Sequence, residues 1–173
     1  MMVTVNPCFH WVGYHITRGL LQEGVEVIGI DPIIDEKSDL LYMFVGRNSN
    51  FQHFFQEYDK ENYVQKAENE ITVEYVEDFL LIKKAKENQE WLELPKLYGE
   101  WMDLDRYGLQ GRDSLMKWIE INDAIYIEDF FEDFYRDLLK EDPIVVKKRN
   151  DKEEVMEKRV EAIVRCEYIL RKV

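Results

Sequence analysis

The stretch that decides the fold is residues 3–31, VTVNPCFHWVGYHITRGLLQEGVEVIGID. Short apolar runs over residues 2–6 and 25–30 predict two strands, and the periodic segment between them, about residues 12–23, predicts a helix. This order is expected when a strand leads through a crossover helix into a second, parallel strand. The stretch therefore predicts a βαβ unit with Asp31 at the C-terminal end of its second strand.

The loop of this unit lacks two of the three glycines that a dinucleotide site uses. In such a site the first glycine makes a tight turn, the second lets the backbone approach the pyrophosphate, and the third lets the helix lie close to the strand. Counted back in threes from Gly13, these positions hold Pro7, His10 and Gly13. Pro7 lacks an N–H donor and fixes φ, and His10 places a ring where the pyrophosphate would lie. The loop argues against ordinary cofactor binding.

Asp31 keeps the position of the acid that binds the adenosine ribose, about 20 residues after the loop. An acid that closes a strand is also a common solubilising end, so both roles stay open for Asp31. If NAD or NADP does bind, the candidate contacts are His10, Trp11, Gly13 and Asp31.

The opening segment resembles that of the extended short-chain dehydrogenases, the nucleotide-sugar epimerase and dehydratase family. Two later stretches are similar to that family in the same order. Residues 94–102, LPKLYGEWM, look like its loop that follows a late strand and closes over the substrate, and residues 123–130, DAIYIEDF, look like its strand-to-helix segment. The resemblance covers residues 2–35 and 91–140. It implies a Rossmann-like fold, which we expect here as a reduced, doubly wound parallel sheet.

The resemblance also implies a substrate loop carrying Tyr98, Gly99 and Trp101. Aromatic rings in such a loop stack on a base or a sugar. The alternative is that these rings seal the edge of a shortened sheet.

The catalytic pair of the family is incomplete in this chain. Its chemistry needs a tyrosine four residues before a lysine on one helix, so that the cation lowers the pKa of the phenol. The nearest candidates, Tyr63 and Lys66, are three residues apart, which still places them on one helical face. No serine or threonine lies between Ser49 and Tyr63 to serve as the partner. The simpler interpretation is an exposed tyrosine and lysine in an abbreviated, non-catalytic relative.

The composition predicts one folded domain, residues 1–173, in the cytoplasm. Hydrophobic residues make up 46% and aromatic residues 13% of the 173 residues, which is more than a highly charged disordered chain carries. No apolar stretch approaches the roughly 18 residues of a membrane span, and no signal-peptide pattern opens the chain. Cys8 and Cys166 are far apart and lack a Cys-x-x-Cys partner, which suits unpaired thiols in a reducing compartment.

The net charge of −13 argues against a nucleic-acid partner, because phosphate binding uses clustered lysine and arginine. The helix predicted from near Glu128 is strongly acidic, as either a solvated face or a docking surface for a basic partner. The stretch from Lys147 onward is mildly basic and could pair with the acidic body within the molecule or across a dimer. Cys8, His10 and His15 are close in sequence, but no fourth ligand is indicated, so we predict no metal site.

The remaining pattern predicts further elements with less distinct signals. Residues 40–45 are β-prone, and Gly46 begins a turn. The other expected elements are a helix from Phe51, a strand near 71–76, a helix over 79–86, a strand near 91–94, a loop carrying Tyr98 and Gly99, a short helix capped by Asp113 or Ser114, a strand over 125–127, an aromatic helix that Pro143 ends, a strand over 144–146 and a helix over 153–170.

Three functions are consistent with these patterns. The first, which we favour, is a catalytically inactive protein that acts by binding a protein partner or a second copy. The second is a nucleotide or nucleotide-sugar binder that keeps Asp31 and the Tyr98 loop. The third is an active oxidoreductase or epimerase with an atypical loop, using Tyr63 and Lys66.

Overall fold

The chain is an α/β protein in which a six-stranded, mostly parallel sheet is flanked by helices. The computed structural model describes residues 1–64, 69–84, 88–140 and 152–172. The chain divides into two compact units, residues 1–94 and 95–173, and each is described by itself. The single domain expected over residues 1–173 stays a prediction.

The first unit holds the sheet. Its elements in chain order are β1 (Met2–Asn6), α1 (Trp11–Gln22), β2 (Glu26–Ile30), α2 (Glu36–Val45), β3 (Phe51–Phe54), α3 (Glu57–Tyr63), β4 (Glu70–Val76), β5 (Phe79–Lys84) and β6 (Asn88–Glu93). The strand order is β3-β2-β1-β4-β5-β6. The four strands from β3 to β4 pair in parallel, whereas β5 and β6 join as antiparallel strands. The predicted parallel sheet therefore does not extend to β5 and β6.

The βαβ unit predicted from residues 3–31 is confirmed. Val3 and Val5 are buried in β1, and Val27 pairs beside Val3 in the parallel β2. Helix α1 packs against β1, β2 and β4, as a crossover helix must. The strand expected near residues 71–76 is also present, as β4.

The β-prone run over residues 40–45 is helical, so that prediction is wrong. The cause is a capping box at the start of α2. The Asp35 carboxylate accepts a hydrogen bond from the Ser38 amide at 2.7 Å, and the Ser38 hydroxyl accepts one from the Asp35 amide at 3.1 Å. These two bonds satisfy amides at the helix start and outweigh the local β propensity of the apolar run.

Two predicted helices in the first unit are strands. The helix expected from Phe51 is β3, which pairs with β2, and helix α3 begins only at Glu57. The helix expected over residues 79–86 is β5 as far as Lys84, and residues 85–87 lie outside the described part of the chain. Strands as short as β3 and β5 cannot be told from helix segments by periodicity. A two-residue turn, in which Glu77 has a φ of 56°, joins β4 to β5.

One face of the sheet carries a buried ion pair. Lys60 of α3 pairs with Glu70 of β4, and Glu70 also accepts a hydrogen bond from the Thr4 hydroxyl at 2.7 Å. Val64, which follows α3, packs against the apolar cluster that includes Ile28. These contacts attach the short helix α3 to the sheet.

The second unit is largely helical. It contains β7 (Leu97–Tyr98), a 3-10 turn (Asp105–Tyr107), α4 (Gly111–Asn122), β8 (Ile125–Tyr126), α5 (Ile127–Lys140) and α6 (Glu153–Leu170). Strands β7 and β8 pair in parallel. The strand expected over residues 125–127 and the helix expected over 153–170 are confirmed.

Three predictions in this unit have other outcomes. The helix expected to be capped by Asp113 or Ser114 is α4, which begins earlier, so both residues lie inside it. Tyr98 lies in β7 and not in a loop, because Leu97 and Tyr98 pair with β8. Pro143 and the strand expected over residues 144–146 lie outside the described residues. No helix in the described ranges is both long enough and apolar enough to traverse a bilayer.

The aromatic stripe of α5 forms core. Phe130, Phe131, Phe134 and Leu138 are at most 1% exposed, and the three phenylalanine rings pack against one another. The aromatic spacing of this helix therefore forms a buried face.

Candidate functional site

The candidate site lies where the parallel strands end. The carboxyl edge, as we name it, comprises Phe9 and His10 after β1, Asp31 after β2, His53 in β3 and Tyr75 near the end of β4. Ligands of open α/β sheets bind at this edge, where the chain connections diverge. The hydrogen bonds within the edge decide what it can bind.

Asp31 binds the loop that precedes α1. Its Oδ2 atom accepts a hydrogen bond from the Phe9 amide at 2.9 Å, and the His10 amide also stabilises the carboxylate. Burial raises the pKa of Asp31 above its usual value, and the two amides and the nearby His53 oppose that rise. The predicted ribose acid is therefore hydrogen-bonded to the backbone of the loop between β1 and α1.

His10 is the N-cap residue of α1. Its Nδ1 atom accepts from the Val12 amide at 3.4 Å, a long bond in the N-cap arrangement. Its ring stacks on Tyr75 with centroids 4.3 Å apart and planes 15° apart. A dinucleotide site uses the amides at this helix start for the pyrophosphate, whereas here the imidazole takes one of them, that of Val12.

Gly13 marks the closest approach of α1 to the loop. An ideal Cβ at Gly13 would lie 1.9 Å from the carbonyl oxygen of Pro7, so only glycine fits there without movement of the backbone. The role expected for the third glycine is thus visible in the geometry. Trp11, the first residue of α1, is buried and contacts the His15 ring edge-on. Whether Trp11 or Gly13 contacts a cofactor stays a prediction.

His53 is a residue of the carboxyl edge that the sequence patterns did not indicate. Its Nε2 atom lies 2.7 Å from the carbonyl oxygen of Asp31, which can only accept, so this nitrogen carries the proton. Four aromatic rings surround the imidazole, with centroids 5.1–6.5 Å away: those of Phe9, Tyr42, Phe51 and Phe55. A helix was expected from Phe51, whereas the chain there forms β3. Because β3 is parallel to β2 and ends at the same edge, it brings His53 beside Asp31.

Of the predicted catalytic pair, Tyr63 is described and Lys66 is not. Tyr63 ends α3 and is 80% exposed, with its ring 6.5 Å from that of Phe54. Lys66 lies among residues 65–68, outside the described part of the chain. The geometry of the predicted catalytic pair is therefore untested.

Cys8 and the histidines do not assemble a metal cluster within the described ranges, where no group of three potential ligands comes together. Cys8 is fully buried, and an ideal Cβ on Gly29 would lie 2.7 Å from its Sγ atom. Burial, together with the nearby Asp31 carboxylate, raises the pKa of the Cys8 thiol. Both properties make Cys8 an inert core residue.

The predicted substrate loop is buried inside the second unit. Tyr98 is 1% exposed, Gly99 is buried, and Trp101 is 9% exposed with a φ of 66°. The Trp101 amide donates to the sulfur of Cys166, whose pKa burial raises to about 11. Tyr98 and Trp101 are thus buried residues of the second unit. Whether they stack on a ligand or seal the edge of a sheet stays a prediction.

A polar group lies beside that loop. The Tyr126 hydroxyl is 2.9 and 2.8 Å from the two oxygens of Glu100, and burial with the nearby Glu100 charge raises the pKa of Tyr126. The Arg159 guanidinium lies 4.0 Å from the centre of the Tyr126 ring and pairs with Asp129 at 2.8 Å. These contacts connect β8, α5 and α6, so they stabilise the packing of the three elements.

Comparisons of this chain with protein-family models, with curated proteins and with solved structures find no match.

Proposed function

We propose that this chain is a non-catalytic, shortened relative of the extended short-chain dehydrogenases that acts by binding a protein partner or a second copy. Its sheet is a reduced version of the Rossmann-like doubly wound fold. The order β3-β2-β1-β4 supports this proposal, because it is the order of the first strands in that fold. The free thiols Cys8 and Cys166 support a cytoplasmic location.

One observation carries the functional part of the proposal. Side chains of the protein itself occupy the amides that would hold a pyrophosphate, since Asp31 takes those of Phe9 and His10 and the His10 ring takes that of Val12. A half-buried carboxylate at this position also repels phosphate oxygens. A dinucleotide would have to displace these bonds without offering the protein a net gain.

Calorimetry with NAD, NADP and UDP-sugars at millimolar concentration tests the proposal. We expect no saturable heat for the wild type or for Asp31→Asn, which keeps an oxygen acceptor for the loop. Asp39→Asn is the matched control, because Asp39 is an exposed acid in the neighbouring helix α2. Saturable binding that Asp31→Asn abolishes and Asp39→Asn preserves would instead identify Asp31 as a ribose ligand.

The second candidate function is an NAD(P)- or nucleotide-sugar-dependent oxidoreductase or epimerase with an atypical loop. It is favoured by the place of Asp31 at the end of β2, where the family has its ribose acid. Under this hypothesis Tyr63 and Lys66 act as the catalytic pair. The test is cofactor absorbance during incubation with a panel of nucleotide sugars, with Tyr63→Phe as the inactive control. Constant absorbance with every substrate excludes redox turnover with the cofactors tested.

A further inference from the structure

The sheet ends laterally in an open strand. In the described part of the chain β6 pairs only with β5, so it forms one edge of the six-stranded sheet. Every residue of β6 except Leu92 is exposed. An open edge presents unpaired backbone donors and acceptors that can pair with another strand.

The register identifies which groups face outward. The Leu94 amide donates to the Asp78 carbonyl at 2.8 Å, which makes these two residues a hydrogen-bonded pair that continues the β5–β6 ladder. Bonded and non-bonded pairs alternate in antiparallel strands. Glu90 and Leu92 therefore direct their backbone groups toward β5. Gln89, Trp91 and Glu93 direct their N–H and C=O groups toward the open side.

Apolar and acidic side chains accompany these backbone groups. Trp91 is 55% exposed and contacts the Phe79 ring edge-on, with centroids 6.2 Å apart, on one face of the sheet. Glu93 shares that face because it alternates with Trp91, and Glu90 lies on the opposite face. Natural edge strands are commonly protected by lysine or proline, and β6 contains neither.

We propose that β6 binds an extended, basic peptide segment of another protein by strand addition. The four residues Glu90 to Glu93 read acidic, aromatic, aliphatic, acidic. A paired strand therefore fits best with the order basic, apolar, apolar, basic, since directly opposed residues of opposite charge attract. Outward backbone groups supply affinity and the two carboxylates supply specificity. This inference rests on the proposed binding function and names its partner class.

Charge distinguishes this partner from a second copy of the chain. A second β6 strand carries the same two acids and contains no lysine or arginine that could pair with Glu90 or Glu93 of the first copy. Each copy also carries a net charge of −13. A basic segment gains from both features.

The test uses a labelled peptide, acetyl-Thr-Lys-Val-Val-Lys-Thr-amide, in fluorescence anisotropy with the full chain. Its pattern reads the same in both directions, so it suits parallel and antiparallel addition. We expect it to bind at least about tenfold more tightly than the matching peptide with glutamate in place of lysine. Reversing both acids, in the Glu90→Lys, Glu93→Lys variant, should invert that preference. Equal binding of the two peptides by the wild type would overturn the proposal.

A pair of variants at one position separates backbone pairing from side-chain contact. Trp91→Thr and Trp91→Pro both lose the indole, but only proline removes the outward N–H, and it leaves the ladder with β5 intact. We expect Trp91→Thr to weaken binding several-fold and Trp91→Pro to abolish it, with both variants matching in their circular dichroism. Equal affinities of the two variants would refute strand addition.

Sedimentation of the wild type and Trp91→Pro completes the test. A wild-type dimer that Trp91→Pro converts to a monomer would overturn the proposal, because the occupant would be a second copy. Dinucleotide binding in the calorimetry described above would contradict the proposed loss of cofactor binding, and it would leave the peptide result unaffected. The two failures are therefore distinguishable.

Discussion

Replacing Gly13 by alanine tests how tightly α1 is held against its loop. The new Cβ would lie 1.9 Å from the Pro7 carbonyl oxygen and 3.0 Å from its carbon. The obstructing atoms belong to the backbone, so a rotamer change cannot relieve the overlap. Overpacking in a well-filled region costs about 1–3 kcal/mol, and a rigid obstacle belongs at the upper end of that range.

Helix propensity acts in the opposite direction for this substitution. Alanine is favoured over glycine by about 1 kcal/mol inside a helix. We therefore expect Gly13→Ala to lower the free energy of unfolding by about 2 kcal/mol, the difference between these two effects.

Urea denaturation followed by tryptophan fluorescence measures this loss as a lower midpoint with an unchanged slope. Gln22→Ala is the control, since Gln22 is exposed in the same helix and its replacement should alter stability by less than about 0.5 kcal/mol. Gly13→Ala with wild-type stability would show that α1 can move away from Pro7, and the argument from close approach would be wrong.

Three further substitutions test other parts of the structure. Burial raises the pKa of Asp31, so the folded state holds this proton more tightly than the unfolded chain does. The stability of the wild type relative to Asp31→Asn should then grow as the pH falls from 7 toward 3.8, the usual pKa of an aspartate, and parallel urea midpoints across that range would contradict the shift. Glu77→Gly should raise the unfolding free energy by about 0.5 kcal/mol, because glycine relieves a left-handed φ of 56° at a turn, and a lower melting temperature would disagree. Tyr126→Phe should cost about 1–2 kcal/mol in urea denaturation, because Glu100 loses a donor, and an unchanged midpoint would mean that water replaces the hydroxyl.

The parts of the fold that the sequence predicted are those in which local pattern and tertiary role agree. The βαβ unit has a strand, a periodic helix and a second strand in sequence, and its close approach requires the glycine at position 13. Helix α6 was likewise evident, because its apolar positions Val160 and Ile163 repeat at helical spacing and are buried. The β5 strand was missed because its burial depends on pairing with β4 and β6, and pairing between separate strands leaves no local pattern.

The candidate site was predicted less completely than the fold. The position of Asp31 and the unusual residue at position 10 follow from spacing alone. Their hydrogen bonds do not, because the contact between Asp31 and the Phe9 amide joins residues 22 apart in sequence. His53 was hidden for the same reason, since its place beside Asp31 depends on the pairing of β3 with β2.

The strand order explains why the two edges of the sheet differ in what they can bind. At the carboxyl edge, parallel strands end in loops, and here Asp31 and His10 satisfy the loop amides internally. A further parallel strand after β4 would need a crossover helix. The chain instead turns back at Glu77 and adds two antiparallel strands, so the sheet ends at β6 with alternate backbone groups directed outward. The amides of the loop are thus hydrogen-bonded within the protein, whereas the outward backbone groups of β6 are open to a partner. We therefore expect a peptide partner at β6 and no dinucleotide at the loop.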